Sequence, residues 1–481
     1  MSHHTSSSLS SARGYTEKKT IASAHEARRE EAEVIANDCD QALYGGVVAQ
    51  PHVHFQDAFF DYASVEKITA IVDGILKRHA QNARPGIQQL CQVHARLDDE
   101  LSESRLIGEA SAAGYAIKVR LTQFMNEAFV VKSSRNPQHD ELFHEFFVAK
   151  HGLNKLRRYI PSFCFAHSYF DCASPELFPS KVAKICGSSG DNASHILFEM
   201  VDGVTLRDFI MPALPNGATA SEMAAMFVQV GYALEMAWRA CEFRHNDLHP
   251  GNVMVRNMPH LIKTGGNHNV VIRFKTENDA SVFVSAASGI ATLIDFGRSG
   301  IAYHNTIVSC VEQEDPENTC SKKMADSREY GHWSFDLLRL VSACALELQH
   351  AYHDNQADVP NDVAKLFRRI ARIIRVETFV QDTSIETTFS TQATGLGALA
   401  RFANDVLFSR TYVGRYGPET MRTLRPNLTM TAFHKSVEQF VPIYLDTPPN
   451  DAVVLQDIML LQDITKLHQK YTPEQLNSQL R

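Results

Sequence analysis

His245-Asn246-Asp247-Leu248-His249-Pro250-Gly251-Asn252 runs directly into the apolar triplet Val253-Met254-Val255, and a second apolar stretch closes on Ile294-Asp295-Phe296-Gly297. An aspartate, an asparagine five places later and a second aspartate at the end of a strand are the polar set that phosphoryl transfer requires. One carboxylate orients the attacking hydroxyl and takes its proton, while the amide and the other carboxylate hold magnesium on the nucleotide phosphates. On this reading Asp247 is the base, and Asn252 and Asp295 are hard oxygen ligands of the kind magnesium takes. A positioned base contributes about 10²–10⁴-fold in rate.

Upstream of this run, residues 221–241 predict a long apolar helix, preceded by a strand over 194–199. Earlier still, 105–108 and 114–121 predict strands joined by a loop of small residues, 127–132 predicts a third strand, and 140–159 a helix. Downstream, 270–293 is rich in strand formers, 298–330 is irregular and polar, and the chain from Ser334 onward is mainly helical in pattern. Strands cluster early and helices late, an α+β layout with a ligand cleft between two lobes. The first 19 residues are Ser-rich and predict disorder. Residues 20–43, 65–79 and 86–101 predict helices with no chemistry assigned to them.

The 481 residues suffice for one large two-lobed domain with extensions, or for two domains. A net charge of −8 provides no overall attraction to nucleic acid or to an anionic membrane. Nine scattered cysteines without CxxC pairs point to a reducing interior, and away from a disulfide framework or a zinc ribbon. No apolar run approaches the ~20 residues of a membrane span, and the Ser-rich start lacks the apolar core of a secretory signal. Cys310 and Cys320 flank an acidic stretch that is a poor match for a thiolate metal site. Arg368, Arg369 and Arg372 lie on a basic amphipathic helix, whose usual explanation is a solvated face.

From about Arg105 to Leu340 the chain resembles the protein-kinase superfamily. The nearest likeness is to the divergent serine/threonine kinases of large DNA viruses, carried by His144-Glu145, Lys150, Arg157, Ile160-Pro161 and Ile294-Asp295-Phe296-Gly297-Arg298-Ser299; haspin is a fainter match. The resemblance implies a bilobal fold with a small β-rich N-lobe (104–201), a larger helical C-lobe (202–445), a helical N-terminal extension (1–103) and a C-terminal tail (446–481). Gly108 and Gly114 then bracket the glycine-rich loop, where small side chains let backbone N–H groups approach phosphates. Lys132 would bind the α- and β-phosphates and pair with a helix glutamate, Glu145 or, one turn earlier, Glu141. The hinge would read adenine through the backbone of Glu199 and Val201, with Phe198 behind it as gatekeeper. His245 and Phe296 would pack beneath the site. Asp336 admits two readings, a buried acceptor that rigidifies the catalytic loop or a first-turn acid favoured by the helix dipole.

The implied activity is transfer of the γ-phosphate of ATP, with Mg2+, to serine or threonine of protein substrates. Neither nucleic acid nor membrane is an expected partner, and the implied location is intracellular and cytoplasmic, or host cytoplasm or virion for a viral protein. The chain departs from the family pattern in four places. The middle glycine of the loop is replaced by Ala110 to Ala113. Asn246 stands where an arginine usually pairs with an activation-segment phosphate, so that form of control is not expected. His249 stands where many protein kinases carry a lysine, and no Ala-Pro-Glu motif follows. His249-Pro250-Gly251-Asn252 also resembles the loop of the aminoglycoside and choline phosphotransferases, which keeps a small-molecule kinase in view. The eroded glycine loop keeps a non-catalytic scaffold in view.

Overall fold

The computed structural model describes residues between 101 and 454, outside 109–113, 122–127, 135–140, 179–181, 188–191, 212–217, 258–268, 277–279, 304–305, 309–332, 375–394, 404–427, 450–451 and two single positions. The helices expected before residue 101, the interior of the glycine-rich loop, and Cys310 and Cys320 lie outside the described residues.

The chain enters on β1 (Leu101–Leu106), β2 (Gly114–Leu121) and β3 (Ala128–Ser134). Ile117, Val119, Phe129 and Val131 alternate with half-buried neighbours, so one face of this meander packs inward. Gly114 is required by close approach, since a methyl there would fall on the Ser133 carbonyl. Helix α1 (Glu141–Phe147) follows, and the chain then widens into a π-helical segment, Val148–Leu153, and a 3-10 turn, Asn154–Leu156. The single α-helix expected over 140–159 is therefore α-helical only in its first two turns. Strand β4 (Ala166–Ala173), the short pair β5 (Glu176–Leu177) and β6 (Ala183–Lys184), and β7 (Asn192–Glu199) complete the small lobe. Its sheet has the order β1-β2-β3-β7-β4, antiparallel throughout.

The turn between β4 and β6 brings Cys172 and Cys186 together as a disulfide, with Cα atoms 5.5 Å apart. The nine scattered cysteines pointed to a reducing interior and away from a disulfide framework, and this pairing runs against that expectation. It arises because the β5–β6 excursion returns the chain alongside the end of β4. Cys164, Cys241 and Cys344 are free thiols among the described residues.

The larger lobe begins with β8 (Gly203–Thr205) and α2 (Leu206–Ile210), then α3 (Ala220–Cys241). Thr219 caps α3 by accepting from the Glu222 N–H, while the Glu222 carboxylate accepts from the Thr219 N–H, a reciprocal cap worth about 1 kcal/mol. Helix α3 is buried almost all round and forms the axis of the lobe. Strands β9 (Val253–Arg256), β10 (Asn269–Lys275), β11 (Ser281–Ser285) and β12 (Ile290–Leu293) follow. Strands β12, β9 and β8 form a three-stranded sheet that carries the cleft residues at its ends. The stretch rich in strand formers over 270–293 contains the β10–β11 hairpin, stapled to α3 by the Gln229 amide, which donates to the Ser285 and Gly289 carbonyls. Strands β13 (Ile301–Tyr303) and β14 (Thr306–Val308) pair with each other.

Helices α4 (Trp333–Asp354), α5 (Asn361–Ile374) and α7 (Met430–Val437) pack against α3, and α6 (Leu396–Phe402) packs on α4 and α5. Strand β15 (Ile443–Leu445) joins the edge of β11, and β16 (Ala452–Val454) adds in parallel to β10. The lobes are joined by backbone as well as by side chains: Leu293 N–H donates to the Ser162 carbonyl (2.8 Å) and Cys164 N–H to the Leu293 carbonyl (2.9 Å). No helix among the described residues is long and apolar enough to cross a membrane.

Candidate active site

Strand β3 presents Lys132 at the cleft, and α1 presents Glu145 opposite it. The Lys132 ammonium donates to Glu145 Oε2 and to Asp295 Oδ1, each at 2.6 Å. Glu145 is thus in contact with Lys132. Burial alone would lower the Lys132 ammonium, but the charges of Glu145 and Asp295 outweigh it and hold its pKa above the usual range. Burial pushes the Glu145 carboxyl up against the opposing pull of Lys132 and of the Phe296 N–H that it accepts at 3.1 Å. Asp295 is held down at about 2, first by the Lys132 charge, so it is a carboxylate at any working pH.

The catalytic-loop run is placed by α4. Both carboxylate oxygens of buried Asp336 accept backbone N–H groups, from His245 at 2.7 Å and from Asn246 at 2.9 Å. Of its two readings, the buried acceptor is the one realised. Burial raises the Asp336 carboxyl, and the two N–H donors and neighbouring positive charge oppose that rise. Asn246 has a left-handed backbone (φ 61°), which asparagine tolerates better than arginine does, and its amide donates to the Arg298 carbonyl at 3.0 Å. Asp295 is also left-handed (φ 63°), a conformation with a cost that recurs at functional turns.

A 3-10 turn, Pro250–Asn252, capped by the His249 ring accepting from the Gly251 N–H, swings Asn252 back so that its amide nitrogen donates to the Asp247 carbonyl at 2.9 Å. The Asn252 carbonyl in turn accepts from Ile294 N–H at 3.0 Å, which sets Asp295 beside it. Asp247, Asn252, Asp295, Lys132 and Glu145 therefore share one cleft. With its amide nitrogen committed to Asp247, Asn252 keeps its side-chain oxygen as a hard donor; that oxygen and the ionised Asp295 are the groups of this chain that could hold magnesium, with phosphate and water completing the shell. Among the described residues no three His, Cys, Asp or Glu side chains cluster as a self-sufficient metal cage.

His245 and Phe296 lie fully buried beneath the cleft, their rings 6.0 Å apart, and His245 Nε2 donates to the Ile294 carbonyl. His144 on α1 donates to the Ser299 carbonyl at 2.7 Å, so α1 is tied to the segment after Gly297 by a second link beside Lys132–Glu145. Gly108 adopts φ +66° at the end of β1, with open space around it. Phe198 is buried at the end of β7, with Val201 just beyond. Glu199 N–H donates to the Phe165 carbonyl at 2.9 Å, and its own carbonyl accepts from the Cys164 thiol, a weak donor, at 3.7 Å.

Two features escaped sequence reasoning. The Glu199 side chain is the centre of a buried triad: Arg256 donates to both its oxygens at 2.8 and 3.2 Å, and Arg157 lies 3.4 Å from each. Burial raises the Glu199 carboxyl, but Arg256 and Arg157 more than offset it and leave it lowered. Arg339, one turn after Asp336 on α4, donates to the Asn246 carbonyl at 2.8 Å and to Asp247 Oδ1 at 2.6 Å. The i, i+3 spacing of Asp336 and Arg339 was the signal that could have revealed it.

The strand order of the small lobe, the lysine–glutamate pair beneath it and the helical larger lobe give a protein-kinase-like fold of α+β class. Among known proteins, two from Invertebrate iridescent virus 3 are similar to this chain. Uncharacterized protein 035R is 24% identical over 289 residues, 56% of this chain and 23% of that protein. Probable kinase 098L is 28% identical over 155 residues, 32% of this chain and 25% of that protein. The chain thus spans about a quarter of the length of the curated relatives it matches. Among solved structures, the Cydia pomonella granulovirus kinase PK-1 aligns at 15% identity and a TM-score of 0.27, over 43% of this chain and 57% of its own. The Mycobacterium tuberculosis PknI kinase domain aligns at 16% and 0.30, over 63% and 96%. No family model matches the chain.

Proposed function

We propose that the protein is an ATP- and magnesium-dependent kinase that phosphorylates serine or threonine in protein substrates. The observation that carries this reading is the Lys132 ammonium held at 2.6 Å between Glu145 and Asp295, in the same cleft as Asp247 and Asn252. Lys132 would neutralise the α- and β-phosphates, Asn252 and Asp295 would hold Mg2+, and Asp247 would accept the proton of the acceptor hydroxyl. The backbone of Glu199 and Val201 would read the adenine edge, and Gly108 and Gly114 would bracket the loop over the phosphates. The retained base, lysine and metal-type residues favour turnover over a scaffold role. The polar stretch 298–330 is long enough to present a peptide, which favours a protein substrate.

Phosphorylation of a small-molecule alcohol is favoured by one observation, the histidine-capped turn His249 to Asn252. Labelled ATP offered with a degenerate peptide library, then with amino sugars and choline, separates the two. The expected result is Mg2+-dependent labelling of serine and threonine in peptides that is lost in Asp247→Ala. Labelling only of small alcohols, or ATP turnover untouched by Asp247→Ala, would overturn the reading.

A further inference from the structure

Residues 245–252, which carry Asp247, contain no lysine or arginine. The two rings in that run are not obvious substitutes. His245 Nε2 is spent on the Ile294 carbonyl, and His249 accepts from the Gly251 N–H through Nδ1. The fixed positive charge at this point arrives from a different element. Arg339 on α4 forks its guanidinium across the loop, one nitrogen on the Asn246 carbonyl at 2.8 Å and the other on Asp247 Oδ1 at 2.6 Å. Its side chain is 12% exposed and that of Asp247 25%, so the pair is largely shielded from solvent without being sealed off. The second oxygen, Oδ2, has Arg298 Nε at 3.9 Å, beyond hydrogen-bond reach.

We propose that Arg339 is the positioning residue for Asp247, fixing Oδ1 so that Oδ2 alone is presented to the acceptor hydroxyl. This rests on Asp247 being the base. In the step it serves, the hydroxyl proton passes to Oδ2, the hydroxyl oxygen forms the new bond to the γ-phosphorus, and ADP leaves with the electron pair of the bond that breaks. A planar fork suits this task and an ammonium does not, because only the fork can hold the backbone carbonyl and the carboxylate at once in one fixed geometry. The same helix supplies Asp336 to the two preceding N–H groups. One rigid face of α4 therefore sets both the loop backbone and the orientation of the reacting carboxylate.

The test compares wild type with Asp247→Ala, Arg339→Lys, Arg339→Gln and Arg339→Ala in steady-state phosphorylation of a general protein substrate, alongside nucleotide binding and thermal melting. Misorientation of a reacting group costs about 100-fold. Arg339→Gln is expected to lower kcat by that order while KM for ATP stays within about twofold, Arg339→Lys to fall between, and added guanidinium ion to restore part of the Arg339→Ala rate. A purely structural role would instead lower the melting point and ATP affinity together with kcat, and guanidinium would not rescue it. If Arg339→Ala does not fold, the Lys and Gln variants carry the comparison. Wild-type kcat in Arg339→Gln, with activity still lost in Asp247→Ala, overturns this proposal alone. Activity that survives Asp247→Ala overturns the base assignment, and the proposal with it.

Discussion

Replacing Glu199 by glutamine keeps the shape of the side chain and removes the only negative charge in a buried cluster of two arginines. The Glu199 side chain is 0% exposed and those of Arg157 and Arg256 2% each. Arg256 makes the close bidentate contact, whereas Arg157 at 3.4 Å contributes mainly charge. Removing one partner of a buried ion pair costs about 3–5 kcal/mol, because the remaining charge is left uncompensated. The amide still offers one oxygen to the Phe165 N–H, which Glu199 accepts at 3.0 Å, so the lower end, about 3 kcal/mol, is expected. That is a large share of a total of about 5–15 kcal/mol. At about 2–4 °C per kcal/mol the melting point falls by roughly 6–12 °C. Urea unfolding followed by circular dichroism supplies the free energy. Glu347→Gln, which breaks the exposed pair with Arg207 at 2.8 Å, is the control and costs less than about 1 kcal/mol. Replacing Glu199, Arg256 and Arg157 together by Leu, Met and Met should recover most of the loss, since well-packed apolar side chains replace such triads at little cost. A Glu199→Gln protein no less stable than the Glu347→Gln control would refute the reasoning.

Three further outcomes are expected. Asp336→Ala orphans the N–H groups of His245 and Asn246, at about 1–3 kcal/mol each, and lowers kcat more than ATP affinity; equal stability in urea would contradict this. Burial pushes the His167 imidazole down to about 3, so the folded protein keeps it neutral while the unfolded chain takes up a proton near pH 6.5. Its contribution is complete above about pH 6.5 and is lost as the pH falls towards 3, by up to about 1.4 kcal/mol per pH unit; unfolding at pH 7.5, 5.5 and 4.5 should show a shallower slope in His167→Gln. Cys172 and Cys186, 14 residues apart, close a loop whose cross-link stabilises by about 3 kcal/mol. Alkylation under denaturing conditions without reductant should therefore spare these two and label Cys164, Cys241 and Cys344; labelling of all five sinks the pairing.

The catalytic-loop geometry was legible because it is local. Asp247 and Asn252 are five positions apart, and the structure shows the Asn252 amide folded back on the Asp247 carbonyl. The helix α3, the β10–β11 hairpin and the early meander were legible from periodicity and length. Contacts that join distant parts of the chain were not. Glu199 meets Arg256 across 57 positions with no local pattern to announce it, and Asp247 meets Arg339 across 92, a meeting signalled only by the helix face that Arg339 shares with Asp336. Glu199 looked like a hinge residue read through its backbone; its carboxylate and two arginines hold that hinge to the 3-10 turn after α1 and to β9. The disulfide was hidden for the same reason, since many pairings of nine cysteines are consistent with the sequence. The short strands β15 and β16 carry too few residues to show a period.

The widened turn after α1 has its own consequence. Asn154 N–H reaches back five residues to the Ala149 carbonyl rather than four, so the segment accommodates one residue more than a regular helix of the same length. Glu145 before it faces Lys132, while Asn154 after it brackets Ala166 with both ends of its amide, and Arg157 turns towards Glu199. The bulge acts as a phase adjuster. Excising one residue from 148–153 would regularise the coil and rotate everything downstream by about 100°, leaving the ammonium partner in place but uncoupling the small lobe's anchor from its hinge.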